Sequence, residues 1–318
     1  MKYLITGGTG TFGYAMAKHL LGHQDTDVVR IMSRDEVKQA MMRAQFKDDI
    51  RLRFLLGDVR DLARTSEAMR GIDVVFHAAA LKRIEACAYD PEEAIRTNVL
   101  GSMNVLAAAR AAGVSRVVGL SSDKACAPST HYGATKLCME AVFTSSTAMH
   151  GRYPLACVLR YGNVMGSRGS VLAKWRELGE PIYITDPQAT RFWYTIEKAV
   201  ELAMWAAVWT EGGELVVPRL PSFRLGDLAE AMCLHQKVQK MALRPGEKKH
   251  EAMISGDEAD QFCVLDVDRY VRLQPGDWRG VGRLWLGHGC AVASNNEADL
   301  MTVDAIKAAL YSSRPRGD

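Results

Sequence analysis

"KYLITGGTGTFG" (residues 2–13) joins an apolar, β-prone run to a glycine-rich turn and the first residues of a helical pattern. Gly7, Gly10 and Gly13 fall at every third position. Glycines so placed permit a tight turn, close approach of the backbone to a pyrophosphate, and close helix–strand packing. The helix that follows points free N–H groups and the positive end of its dipole at the same spot. A glycine pattern alone is weak evidence. Its place between a first strand and a first helix makes it a strong signal for a dinucleotide-phosphate cradle.

Outward from this turn the pattern repeats. "DVVRIM" (27–32), "RLRFLL" (51–56), "DVVFHAA" (73–79), "RVVGLSS" (116–122) and "LACVLRYG" (155–162) read as further strands. They are rich in Val, Ile and Leu without strict alternation, as suits strands buried on both faces. Helical patterns lie between them at about 12–22, 35–46, 61–70, 91–112 and 132–150. Alternating β and α elements predict an α/β fold, a Rossmann-like doubly wound parallel sheet. After residue 163 the pattern loosens: "PIYIT" and "GELVVP" mix with helices near 196–209 and 224–235, before a polar stretch at 244–261. The expected division is a dinucleotide-binding domain over 1–162 and a smaller C-terminal substrate-binding lobe over 163–318, interleaved with the last strands of the main sheet.

The chain has 318 residues, 48% hydrophobic and 24% charged, which allows a sizeable core. A net charge of +3 argues against a dedicated nucleic-acid binder and leaves room for local basic pockets. Seven cysteines are scattered with no C-x-x-C pair, so neither a metal cluster nor a disulfide framework is expected. No apolar run approaches the roughly 18 residues of a membrane span, and the charged, strand-like run after Met1 is not expected to be a signal peptide. The expectation is a reduced, cytoplasmic protein with no nucleic-acid and no membrane partner.

The tip of the second strand faces the adenosine ribose in such folds, where an Asp or Glu favours NAD. Here Met32 is followed by "SRDEVKQ", in which Ser33, Arg34 and Lys38 suit a 2′-phosphate and favour NADP. Asp35 and Glu36 are then read as favourable charges at a helix start. "GDVRD" (57–61) ends the third strand, placing Asp58 and Val59 near the adenine and Asp61 as a helix N-cap.

The chemistry-bearing stretch is "SSDKACAPSTHYGATK" (121–136). Tyr132 and Lys136 are four apart, on one face of a helix. An ammonium there is expected to lower the phenol's pKa by stabilising its anion, so that it can take a hydroxyl proton. Asp123 and Lys124 lie upstream in a loop. A carboxylate and an amine side by side can supply an acid and a base, and burial beside Lys136 is expected to protonate the first and neutralise the second. His77 is read as a packing residue at a strand end.

The cradle together with Tyr-x-x-x-Lys resembles the short-chain dehydrogenases/reductases, and the length and C-terminal lobe resemble their extended branch, which acts mostly on nucleotide sugars. The resemblance becomes specific in "SRDEVKQ", "HAAALKRIEACAYDPEEAIRTNVLGSMNV", "SSDKACAPSTHYGATKLCME", "RYGNVMGSRGSV", "TDPQATRFW", "PSFRLGDLAEAM" and "RPGEKKHEAMIS". Over nearly the whole chain it is similar to the soluble, C5-inverting UDP-N-acetylglucosamine 4,6-dehydratases. The dTDP-glucose branch carries Asp-Glu where this chain has Asp123-Lys124. Ser122 replaces the family's usual threonine, and Glu85 a smaller or less charged residue.

The resemblance implies that Asp123 is the acid for the C6 hydroxyl, Lys124 the base at C5, and Tyr132, with Lys136 and Ser122, the base at the C4 hydroxyl. It implies a tightly bound NADP, regenerated each turnover. Its site comprises Gly7, Thr9, Gly10, Thr11, Phe12, Gly13, Ser33, Arg34, Lys38, Asp58, Val59, Ala78, Ala79 and Ala80, with Tyr132 and Lys136. It places Lys82, Asn163, Arg168, Arg191, Arg244 and Glu247 on UDP-N-acetylglucosamine. Arginines suit phosphates bidentately, and a glutamate suits ribose hydroxyls. A homo-oligomer, dimer or larger, is implied through the Tyr-x-x-x-Lys helix and the one before it. The rival readings are a nucleotide-sugar 4-epimerase, which would leave Asp123 and Lys124 idle, and a non-catalytic NADP-sensing protein.

Overall fold

Seven parallel strands form the centre of the molecule. The structure, a computed structural model, describes residues 1–151, 153–166, 171–178, 182–232, 238–242, 246–267, 270–275 and 292–312. The first six strands are β1 (Lys2–Thr6), β2 (Val28–Ser33), β3 (Leu52–Leu56), β4 (Val74–His77), β5 (Arg116–Leu120) and β6 (Leu155–Leu159). Two short strands, β7 (Ile182–Ile184) and β8 (Thr190–Phe192), precede β9 (Leu215–Pro218), which pairs parallel with β6. Then come β10 (Ser222–Arg224), β11 (Val238–Lys240), β12 (Ala252–Ile254), β13 (Phe262–Val267), β14 (Tyr270–Pro275) and β15 (Val292–Ala293). The main sheet runs β13-β14-β9-β6-β5-β4-β1-β2-β3, with β14 and β13 antiparallel at one edge.

Burial explains why these runs become central strands. Every residue of β4 and β6 is buried. Each fully buried Val, Leu, Ile or Phe contributes about 1.5–3 kcal/mol, more than local propensity can offset. The helices that cover the sheet are α1 (Thr11–Leu21), α2 (Glu36–Gln45), α3 (Leu62–Met69), α4 (Ile84–Tyr89), α5 (Pro91–Ile95), α6 (Gly101–Ala112), α7 (His131–His150), α8 (Val171–Leu178), α9 (Ile196–Trp209), α10 (Leu225–Ala231), α11 (Gly256–Gln261) and α12 (Val303–Ser312). α1 packs on α9, and α6 packs on both α3 and α7. Aspartates start several of them: Asp35, Asp61 and Asp90 each accept a backbone N–H as N-caps of α2, α3 and α5.

The single helix expected over 91–112 is instead α5 and α6 joined by a wide π-type turn, Arg96–Leu100. Asn98 sits in that turn and locks it. Its amide donates to the Leu81 carbonyl at 2.9 Å and to Thr135 Oγ1 at 3.0 Å, and its oxygen accepts from Leu81 N–H at 2.8 Å. Such turns re-aim side chains and recur at functional sites.

A second apolar cluster lies apart from the main one. It includes Trp175, Ile182, Ile184, Trp193, Phe223, Leu228 and Ile306. The small sheets β10-β8 and β11-β7 flank it. Strand order reverses between β1 and β4, and the crevice at that switch point lies at the carboxyl ends of the strands, where such folds bind ligands. No helix among the described residues is long and apolar enough to cross a membrane.

Candidate active site

β1 ends at Thr6 and the chain turns through Gly7 with φ +66°. A Cβ there would lie 2.8 Å from the Ala79 backbone, so only glycine fits. Gly7 N–H donates to the Met32 carbonyl at 2.8 Å, and Gly10 N–H to the Gly7 carbonyl at 2.9 Å. No side chain caps α1, which leaves its first-turn N–H groups for a ligand. The turn opens on a cavity of about 700 Å³. All the cofactor residues expected from the sequence line it, as do Lys82 and Asn163. Thr97 and Ser121 line it too, and their buried hydroxyl oxygens have no hydrogen-bond partner among the described residues. A glycine cradle, a bare helix N-terminus and unpartnered hydroxyls fit an elongated phosphate-bearing ligand.

The ribose end carries mixed charge. The Asp35 carboxylate accepts Lys38 N–H at 3.0 Å and pairs with Lys38 Nζ at 2.5 Å. Arg34 lies 3.6 Å from Asp58, and Arg60 bonds the same carboxylate at 2.7 Å. Burial works against the Asp58 charge, but Arg60 and Arg34 outweigh it and hold the carboxyl below its usual range.

At the other end β5 stops at Leu120, and Asp123–Ala125 form one tight 3-10 turn rather than an open loop. α7 starts at once after Thr130, whose hydroxyl caps it by accepting Gly133 N–H at 3.1 Å. The first turn of α7 leans on the Asp123–Lys124 turn so closely that a Cβ on Gly133 would lie 2.2 Å from the Lys124 carbonyl oxygen. Ser122 hydrogen-bonds the Tyr132 phenol and also donates to Asp123 Oδ1 at 2.8 Å.

The sequence reading of Tyr132 needs correction. Burial pushes its phenol above the ordinary range, the Ser122 hydrogen bond opposes this, and the Asp123 charge adds to it. Lys136 is turned to its own partners, donating to the Leu120 carbonyl at 2.5 Å and to Met139 Sδ at 3.0 Å. Burial pulls its ammonium down to about 8, with Glu140 opposing. Desolvation, which disfavours the phenolate, outweighs the electrostatic help expected from spacing alone.

Lys124 also departs from expectation. Lys124 Nζ lies 3.0 Å from Asp123 Oδ2 and 2.9 Å from Glu251 Oε1. Burial works against the Lys124 charge, but Asp123 and Glu251 outweigh it and hold the ammonium above the ordinary lysine range. Burial was expected to neutralise this amine. Two carboxylates reverse the sign. Glu251 is 2% exposed and lies 3.9 Å from Arg191 Nε. Arg191 pairs in turn with Glu247 at 3.0 Å and donates to the carbonyls of Thr190 and Lys249. Arg191, Glu247, Asp123 and Lys124 thus form one charged run beside the cavity, joined to Tyr132 through Ser122. Arg168 and Arg244 lie outside the described residues.

His77 is sealed in the core. Its ring nitrogens lie 2.7 Å from Thr6 Oγ1 and 3.0 Å from Ser102 Oγ, and it stacks on Phe143. Burial, with Lys136 adding, pulls its pKa down to about 3. No cluster of three or more potential metal ligands occurs among the described residues. The four cysteines described as free thiols are Cys87, Cys126, Cys138 and Cys157. Sequence reasoning missed Glu251, Gly133, Thr97 and Asn98. Glu251 stands in the quoted run "RPGEKKHEAMIS", but 127 positions from Lys124 nothing local joins the two.

The sheet order, the cradle and the Tyr132–Lys136 helix define the extended short-chain dehydrogenase/reductase class. A profile of the family described as "Polysaccharide biosynthesis protein" matches residues 3–274, and the chain belongs to that family. It is 40% identical over 277 residues to the inverting UDP-N-acetylglucosamine 4,6-dehydratase of Campylobacter jejuni, covering 86% of this chain and 82% of that one. It is 38% identical over 281 residues to the UDP-glucose 4-epimerase of Rickettsia bellii, covering 85% and 82%. The solved structure of Pen from Bacillus thuringiensis superposes with a TM-score of 0.88 at 32% identity over 98% of both chains.

Proposed function

We propose that this protein is an NADP-dependent 4,6-dehydratase of UDP-N-acetylglucosamine that inverts C5. The carrying observation is the Asp123–Lys124 turn wedged against Tyr132, a carboxyl and an amino group in contact where an oxidation-only enzyme needs neither. The similarity to the Campylobacter jejuni dehydratase supports the choice of sugar nucleotide. Residues 1–162 hold the cofactor, and 163–318 mainly hold the substrate.

The cradle around Gly7, Gly10 and Gly13 would hold the pyrophosphate, and Ser33, Arg34 and Lys38 the ribose phosphate. Asp35 supports NADP over NAD because its carboxylate is spent on capping α2 and pairing Lys38. When bound, the nicotinamide would take a hydride from C4 and return it to C6, so that oxidation at one carbon and reduction at the other cancel. Everything else falls to side chains. Ser122 would redirect its one O–H from Asp123 to the C4 oxygen, and Tyr132, as the phenolate, would accept the C4 hydroxyl proton. Once C4 is a ketone, the C5 proton is acidic, and Lys124 removes it. Asp123 protonates the C6 hydroxyl as water leaves, and C5 is reprotonated from the opposite face. Lys82, Asn163, Arg168, Arg191, Arg244 and Glu247 hold the sugar and its diphosphate. A homo-oligomer through α6 and α7 is supported by the exposure of Leu100, Met103 and Leu137 on and beside these helices.

The test is product analysis with Lys124→Ala and Asp123→Asn. Each should lower dehydration by about a hundredfold or more, the usual worth of a positioned acid or base. Unchanged dehydration in either variant sinks that residue's role. A second reading, 4-epimerisation, is favoured by the similarity to the Rickettsia bellii enzyme. It would leave Asp123 and Lys124 idle and keep the C6 oxygen in the product.

A further inference from the structure

The proposed chemistry asks Lys124 to act as a base, yet its surroundings hold it as an ammonium. The resolution lies in a residue to which no role has been given. Glu251 precedes β12, is 2% exposed, and places Oε1 2.9 Å from Lys124 Nζ. Its other oxygen, Oε2, is buried with no hydrogen-bond partner among the described residues. A buried carboxylate oxygen without a donor is costly unless it has a further use.

We propose that Glu251 is the positioning residue that holds Lys124 against Asp123 and takes up the Lys124 proton when that amine turns to the sugar. One Nζ–H bond breaks and one Oε–H bond forms. An ion pair becomes a neutral amine beside a neutral carboxylic acid, with no net change of charge and no electrons moved between centres. Lys124, now neutral, carries the lone pair needed at C5. This second half rests on the dehydratase reading; the control of Lys124 by Glu251 does not.

The charges around the pair suit the transfer. Asp123 faces Lys124 from its own turn, Tyr132 and Lys136 stand on α7, and Arg191 approaches from β8 at 3.9 Å from Glu251. Glu247 holds Arg191 from the far side, and Lys248 donates to the Cys126 carbonyl below the turn. Three carboxylates, Asp123, Glu247 and Glu251, thus meet two cations, Lys124 and Arg191, in one run of contacts. The transfer turns one of these ion pairs into two neutral groups and leaves the charge balance of the run unchanged. Arg191 links the pair to the substrate side: its guanidinium lies 3.9 Å from Glu251 and 3.0 Å from Glu247, and an anionic ligand would compete for it.

The test is competitive acylation of lysines with acetic anhydride across pH 6–11, read by mass spectrometry, on the wild type, Glu251→Gln and Glu251→Asp. In Glu251→Gln the Lys124 titration should move down by about one unit or more, since a carboxylate at hydrogen-bond distance has been replaced by a neutral amide. Glu251→Asp, which keeps the charge, should restore at least half of that shift. Lys136, buried on α7 with its ammonium pulled down to about 8, should titrate alike in all three and certifies the fold. With UDP-N-acetylglucosamine in D₂O, Glu251→Gln should lower deuterium entry at C5 by about tenfold or more with KM changed less than about threefold. An unmoved Lys124 titration in Glu251→Gln overturns the proposal. So does an unchanged rate of C5 exchange if the wild type dehydrates the sugar. A wild type that leaves the sugar untouched contradicts the dehydratase reading alone, because the acylation result stands without it.

Discussion

Gly133 sits inside Tyr-x-x-x-Lys, where the motif leaves any residue free. The fold does not, because the Lys124 carbonyl oxygen occupies the place of its side chain, 2.2 Å from a would-be Cβ. Backbone cannot retreat as a flexible side chain can, so Gly133→Ala should push the Asp123–Lys124 turn off α7. The expected result is a loss of turnover of about a hundredfold, the scale of a displacement near 1 Å, with a circular dichroism spectrum like the wild type. Near-normal turnover would mean the turn has room to move. Residue by residue, the sequence carried what is local. Tyr132 and Lys136 are legible because four positions bring them to one face of a helix. Gly7 is legible because a turn between strand and helix needs it. Protonation was not legible, since the phenol and the Lys124 ammonium respond to burial and to Glu251, neither of which spacing records.

Among the elements, the parallel strands were legible because burial on both faces leaves continuous apolar runs. The π-type turn at Arg96–Leu100 was not, since its cause is Asn98 reaching Leu81 and Thr135, contacts set by the packing of α7. Nor were β13 and β14 read as strands of the main sheet: "FCVLDV" and "YVRLQP" are β-prone, but the antiparallel pairing of β14 with β9 joins residues far apart in the chain and no local pattern records it. Arg160 at the end of β6 shows how elements are tied. It is 1% exposed and bonds Glu140 of α7 at 2.6 Å and Glu258 of α11 at 2.7 Å, with the Met253 carbonyl at 2.7 Å. Arg160→Leu would strand two carboxylates, one of them almost fully buried. It should lower unfolding free energy by about 3–5 kcal/mol, the scale for one partner lost from a buried pair. Urea denaturation measures this, and a loss under about 1 kcal/mol would show that water already reaches the network.

At the scale of the whole molecule, acid stability follows from His77. Its folded pKa of about 3 lies below the ordinary 6.5, so the unfolded chain binds the proton more tightly. Its contribution is therefore complete above pH 6.5 and is lost as pH falls toward 3. Between pH 7 and pH 5 this one group should remove about 2 kcal/mol of stability. In His77→Asn, which keeps the means to bond Thr6 and Ser102, that part of the pH dependence should vanish. Denaturation curves at the two pH values decide it, and an equal slope in both proteins would place the acid sensitivity elsewhere. Lys136 acts in the same sense at the alkaline end. Its folded pKa of about 8 is below 10.5, so its burial penalty is relieved as pH rises through that window.

The central claim is that one chain removes water from C4–C6 of a UDP-linked N-acetylhexosamine while restoring its own cofactor. The most direct measurement is to incubate the purified protein with UDP-N-acetylglucosamine in D₂O, without added cofactor, and follow ¹H NMR. The account predicts a new C6 methyl signal, a 4-keto sugar, deuterium at C5 and ring couplings of the inverted configuration. A product that keeps its C6 oxygen and differs only at C4 would contradict it and give the Asp123–Lys124 turn a structural role instead.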